Sequence, residues 1–159
     1  MQKSPFSVEC RGSRVPQFLG LVSLDYLTVA SNGALEVCDL VMPSYRHPSV
    51  LGVHEPYDKP VEVIDVAENP KLVRFALSPQ LKWANHIFIS GNASLRELDL
   101  GGAVDLGVLS IKDNQRLDTI AARDLETIRE LGVKRNPQLS MGSFAGVKTA
   151  ITDARDNAP

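Results

Sequence analysis

Three histidines, two cysteines and a scatter of carboxylates are the residues that could do chemistry in this chain. Their spacing argues against most of it. His47, His54 and His86 share no metal-ligand spacing, and Glu55 and Asp58 near the first two complete no recognisable ligand set. Cys10 and Cys38 each sit in apolar alternation, Val8/Cys10 and Leu35/Cys38/Leu40, which predicts core thiols rather than a nucleophile or a disulfide. The pairs Asp99/Asp105 and Asp113/Asp118 invite a two-carboxylate glycosidase reading, but stacked coils present such pairs routinely. Gly101-Gly102 lacks the lysine and the strand–loop–helix context of a phosphate loop, and no Gly-x-Ser-x-Gly elbow occurs. No catalytic residue, no metal site and no cofactor are expected.

What positions residues along this chain is a repeat. The string [Val/Ile]-x-x-Asn-x-x-Leu occurs at Val29/Asn32/Leu35, Val66/Asn69/Leu72, Ile89/Asn92/Leu95, Ile111/Asn114/Leu117 and Val133/Asn136/Leu139. The last four asparagines are 23, 22 and 22 residues apart, and a degenerate sixth copy ends at Asn157. Ahead of each Asn, apolar residues alternate: Leu27/Val29, Ile64/Val66, Ile87/Ile89, Leu109/Ile111, Leu131/Val133. That period belongs to a strand with one inward face. A second apolar series after the turn, such as Leu95, Leu98 and Leu100, supplies another wall.

One coil of about 22 residues cannot bury its apolar side alone, whereas a stack of coils can. The expected fold is therefore mainly β, a right-handed parallel β-solenoid with short helical or 3-10 turns. Strands of successive coils should lie about 4.8 Å apart. Asn32, Asn69, Asn92, Asn114 and Asn136 recur at one phase, which predicts a structural ladder of inward amides bridging the coils. Leu125, Ile128 and Leu131 recur every three residues, which admits a helical turn within residues 122–131.

Residues 1–25 depart from the repeat and are expected to form an N-terminal cap, with Phe6, Val8, Leu19 and Leu21 over the first coil. Residues 26–159 form the solenoid. Asn32 and Asn69 are 37 residues apart, and the excess falls in residues 42–60, which hold four of the ten prolines. An inserted loop is expected there. A strand at 50–53 and a hairpin of 50–54 against 61–65 are the competing readings.

Composition narrows the partners. The chain is 43% apolar and 23% charged, with 17 basic against 19 acidic residues and no like-charge run. No nucleic-acid footprint and no electrostatic membrane anchor are expected. No apolar stretch approaches the ~20 residues of a membrane span, and the opening MQKSPFSVEC lacks the apolar core of a signal peptide. A cytoplasmic setting is the expectation, or an extracellular one had a leader been removed. Asp153, Arg155 and Asp156 charge the last strand, guard its edge and predict a monomer.

The pattern Leu-x-x-Leu-x-Ile-x-x-Asn-x-x-Leu resembles the leucine-rich-repeat superfamily. Within it the pattern is closer to the receptor L domain of insulin and epidermal-growth-factor receptors and of some fungal wall proteins than to ordinary leucine-rich repeats. The likeness rests on Leu following Asn by three residues, as in Asn92/Leu95 and Asn114/Leu117, and covers roughly residues 24–157. It implies a coil-stacked binding fold and no particular activity. A carbohydrate-binding or cell-surface L-type module is the alternative it implies, with a β-helix glycan-active enzyme more remote.

Residues flanking the inward positions point outward and form rows across coils. The rows are Tyr26, Val63, His86, Val108, Glu130; then Thr28, Asp65, Phe88, Ser110, Gly132; then Ala30, Ala67, Ser90, Lys112, Lys134. Phe88 beside Val63, His86 and Val108 would be an apolar patch ringed by polar groups, the usual look of a partner site. The expected function is a non-catalytic module that holds a protein partner. Its face would comprise Tyr26, Val63, Asp65, His86, Phe88, Val108 and Lys112.

Overall fold

The computed structural model describes residues 7–11, 26–41 and 61–157. The proline-rich residues 42–60 lie outside them, as do Phe6, Leu19 and Leu21 of the expected cap. Within the described residues, eleven strands form two sheets. The first holds β1 (Ser7–Arg11), β3 (Val37–Val41), β5 (Arg74–Ala76), β7 (Glu97–Asp99) and β9 (Thr119–Ala121). The second holds β2 (Tyr26–Ala30), β4 (Val61–Ala67), β6 (Trp83–Ser90), β8 (Asp105–Lys112), β10 (Thr127–Lys134) and β11 (Lys148–Arg155). The chain alternates between the sheets, so neighbours within each sheet come from successive coils. The result is a parallel β-solenoid of about 4 turns with ~22 residues per coil.

One pairing departs from the all-parallel expectation. β1 runs antiparallel to β3, with Cys10 opposite Cys38. The Cys38 side chain is buried, as its place in the alternation predicts. β4 pairs in parallel with β2 on one side and β6 on the other, and the strand at 50–53 and the partner strand of the hairpin reading lie outside the described residues.

The core is a column built one level per coil. Ile64/Val66, Ile87/Ile89, Leu109/Ile111 and Leu131/Val133 line it from the six-stranded sheet. Leu72/Phe75, Leu95/Leu98 and Leu117/Ile120 line it from the other. Each coil turns sharply between these walls, and the local sequence explains how. The residue before each Asn takes a left-handed conformation: Ser31, Glu68, Asp113, Arg135 and Asp156 at φ 53–58°, and Gly91 at 66°. Asn then opens a tight turn whose carbonyl accepts from the N–H three residues on, at 3.1 Å for Asn69/Leu72 and 3.0 Å for Asn92/Leu95. That turn fixes the Asn-x-x-Leu spacing, because it swings Leu straight back into the core.

The asparagines themselves are buried. Asn69, Asn92, Asn114 and Asn136 have no exposed surface. The backbone N–H of Asn69 donates to Asn92 Oδ1 at 3.0 Å, that of Asn92 to Asn114 at 3.1 Å, and that of Asn114 to Asn136 at 3.0 Å. Asn32 donates its N–H to Asn69 Oδ1 at 3.0 Å, and Asn136 donates to Asn157 Oδ1 at 3.1 Å. The sixth, degenerate copy therefore completes the column. Corner groups that the parallel strands leave unpaired find their partners in these amides.

Residues 122–131 form no helix, but a single turn closes at 122–125, where Leu125 N–H donates to the Ala122 carbonyl at 3.4 Å. Leu125 precedes β10, and only the step from Ile128 to Leu131 falls inside that strand. In β4, β6, β8 and β10 the inward positions step by three and then by two: Val61/Ile64/Val66, Ala84/Ile87/Ile89, Leu106/Leu109/Ile111, Ile128/Leu131/Val133. The residues between the first two of each set fall where the strands bend, and Glu62, Asn85, Gly107 and Arg129 have no register partner there. A 3-10 turn at Met141–Phe144 is the helical piece seen among the described residues, with Ser140 Oγ accepting from Gly142 N–H at 3.3 Å.

Candidate binding face and groove

The register places the predicted rows side by side. Tyr26, Val63, His86, Val108, Glu130 and Ile151 are consecutive partners across all six strands of the larger sheet. Thr28, Asp65, Phe88, Ser110, Gly132 and Asp153 form the next row, followed by Ala30, Ala67, Ser90, Lys112, Lys134 and Arg155. The coils between these partners differ in length, so the connections absorb the extra residues while the strands hold one register; a slip of one residue within a strand would turn its outward set inward.

The face is apolar in the middle and polar at its margins. The rings of His86 and Phe88 stack with centroids 6.0 Å apart, and His86 Nδ1 lies 3.3 Å from the Glu62 carbonyl oxygen. Val63 and Val108 flank His86 on its row, while Asp65 and Ser110 flank Phe88. These four neighbours are half-buried along with His86, Phe88 and Lys112, whereas Tyr26 at one end is 70% exposed and Ile151 at the other 58%. At the far margin Lys134 and Arg155 both pair with Asp153.

Of the four carboxylates in the two pairs, Asp99, Asp113 and Asp118 take partners of their own. Asp99 sits on the smaller sheet, 3.8 Å from Arg74, and Asp105 on the larger. Asp113 accepts two hydrogen bonds of 2.6 Å from Arg135, whose guanidinium holds its carboxyl below the ordinary value of 3.8. Asp118 accepts from the Thr119 hydroxyl at 2.6 Å. Among the described residues no group of three or more His, Cys, Asp or Glu could hold a metal ion. None of their helices is long and apolar enough to cross a membrane.

A second feature lies where the strands bend. A groove of about 620 Å³ runs across β6, β8, β10 and β11, lined by Trp83, Asn85, Asp105, Gly107, Arg129 and Lys148 among others. Trp83, Asp105, Thr127 and Lys148 are register partners in turn. Gly107 lets β8 approach β6 closely: a Cβ there would stand 2.4 Å from the Asn85 carbonyl oxygen. Asn85 is held at one end by a 2.8 Å hydrogen bond from its amide to Glu62. The period-two reading passed over these residues. The signal that marks them is the three-residue step between inward positions in β4, β6, β8 and β10.

No family model matches this chain, and neither the search of curated proteins nor that of solved structures returns a match.

Proposed function

We propose that this chain is a non-catalytic binding module, akin to the receptor L domains, which holds a protein partner on the outward face of the six-stranded sheet. The observation that carries the reading is the stacked His86–Phe88 pair between Val63 and Val108, ringed by Asp65, Ser110, Lys112 and Glu130. A large ring left on a surface forgoes roughly 1.5–3 kcal/mol that full burial would bring, and a partner can supply that burial. Tyr26 extends the patch at the first strand. The buried asparagines support the face from behind as a structural ladder and do not contact the partner. The module acts as a monomer.

Affinity capture with paired baits tests this. The parent chain and Phe88→Asp are immobilised at equal density and exposed to lysate of the source organism. A protein retained by the parent and released at least tenfold more readily from Phe88→Asp, with both baits melting alike, supports the reading. Capture that Phe88→Asp and Val108→Asp both leave unchanged refutes it.

A further inference from the structure

The groove at the strand bend offers chemistry that the sheet face lacks. Trp83 is 44% exposed although it is the chain's single tryptophan. Arg129 and Lys148 enter none of the ion pairs found among the described residues, and Asp105 is likewise uncommitted. An aromatic plate, one carboxylate and two spare cations therefore line one hollow. From Trp83 to Lys148 the groove crosses three inter-strand steps, about 14 Å.

Its direction selects the class of occupant. The groove runs across strands, and β6, β8 and β10 are each paired on both sides. None of these three strands presents a free edge, so an extended peptide cannot add to the sheet along them. What remains are side-chain donors and acceptors beside a flat apolar ring. That set suits a ligand with an apolar ring face, hydroxyl groups and negative charge. We propose that this groove binds an acidic oligosaccharide, with one sugar ring on Trp83, hydroxyls donating to Asp105, and a carboxylate between Arg129 and Lys148. The site is independent of the Phe88 face.

Trp83 makes the test direct, because its emission reports on the groove alone. Trigalacturonate is titrated into the full chain, with maltotriose as the neutral control and tri-glutamate as the acidic peptide control. Trigalacturonate should shift the emission saturably, and the binding should weaken with added salt. Arg129→Ala and Lys148→Ala should each weaken it by about fivefold or more, with the melting temperature kept. Trp83→Ala should abolish the binding heat measured by calorimetry, whereas Phe88→Asp should leave both signals intact. No shift with trigalacturonate overturns the proposal. So does an equal response to maltotriose, a stronger response to tri-glutamate, or binding that survives both cation substitutions.

Discussion

Replacing Asn114 by alanine should cost far more than the lost atoms suggest. Asn114 is fully buried, and its Oδ1 accepts from the Asn92 backbone N–H at 3.1 Å and from Asn92 Nδ2 at 3.3 Å. Its Nδ2 donates to the carbonyls of Ile89 at 3.1 Å and Lys112 at 2.9 Å, and to Asn136 Oδ1 at 3.2 Å. These bonds are not equally irreplaceable. The Lys112 carbonyl also accepts from Gly91 N–H, and Asn92 Nδ2 keeps the Val66 and Ser90 carbonyls. The group orphaned outright is the Asn92 N–H, sealed from water, and the Ile89 carbonyl loses its amide donor as well. Each buried unsatisfied group costs about 1–3 kcal/mol, so the variant should lose roughly 2–4 kcal/mol. Against a typical total of about 5–15 kcal/mol that is a large share. Asn157→Ala removes the equivalent support from Asn136, but Asn157 is half-exposed and water can replace it. Its cost should stay below about 1 kcal/mol, near that of the exposed control Gln115→Ala. Urea melts at constant m decide the matter. Equal losses at positions 114 and 157 would refute the claim that buried amides tie the coils together.

Phe88→Asp should melt within a few degrees of the parent, whereas Ile89→Asp, which puts a carboxylate at a fully buried position, should not fold cooperatively by thermal denaturation. If both unfold alike, the outward assignment of Phe88 fails. Gly91→Ala meets no atom closer than 3.6 Å but must hold φ at 66°, and should cost about 1–2 kcal/mol. Gly107→Ala drives a methyl to 2.4 Å from the Asn85 carbonyl, and should cost more in the same melts. For Asp113 the hydrogen bonds from Arg135 lower the folded pKa below 3.8. Their contribution is present above that value and lost as pH falls through the folded pKa. Thermal midpoints of the parent and of Arg135→Ala should therefore differ near neutrality and converge in acid. Midpoints that stay parallel through the acid range would contradict the pairing.

The repeat made the architecture legible without a structure. Alternation such as Ile87/Ile89 and Leu109/Ile111 is a local property, and burying it requires a wall of similar strands. The constant spacing of Asn69, Asn92, Asn114 and Asn136 then dictates that strands from successive coils pair in register. For that reason the outward rows through His86 and Phe88 could be read as rows before any coordinates. The left-handed residues before each Asn could not: only Gly91 advertises that conformation, and Glu68, Asp113 and Arg135 are held in it by the closing of the stack. The bend in the long strands was equally hidden. A step of three at Leu125, Ile128 and Leu131 looks helical until neighbouring strands fix its pairing. Nor does sequence distance reveal that Trp83, Asp105, Arg129 and Lys148 share a groove, or that Arg135 reaches back one coil to Asp113. Period and phase are carried by the chain itself. Which side chains meet across coils is settled only when the coils stack, because those contacts depend on register and bend together.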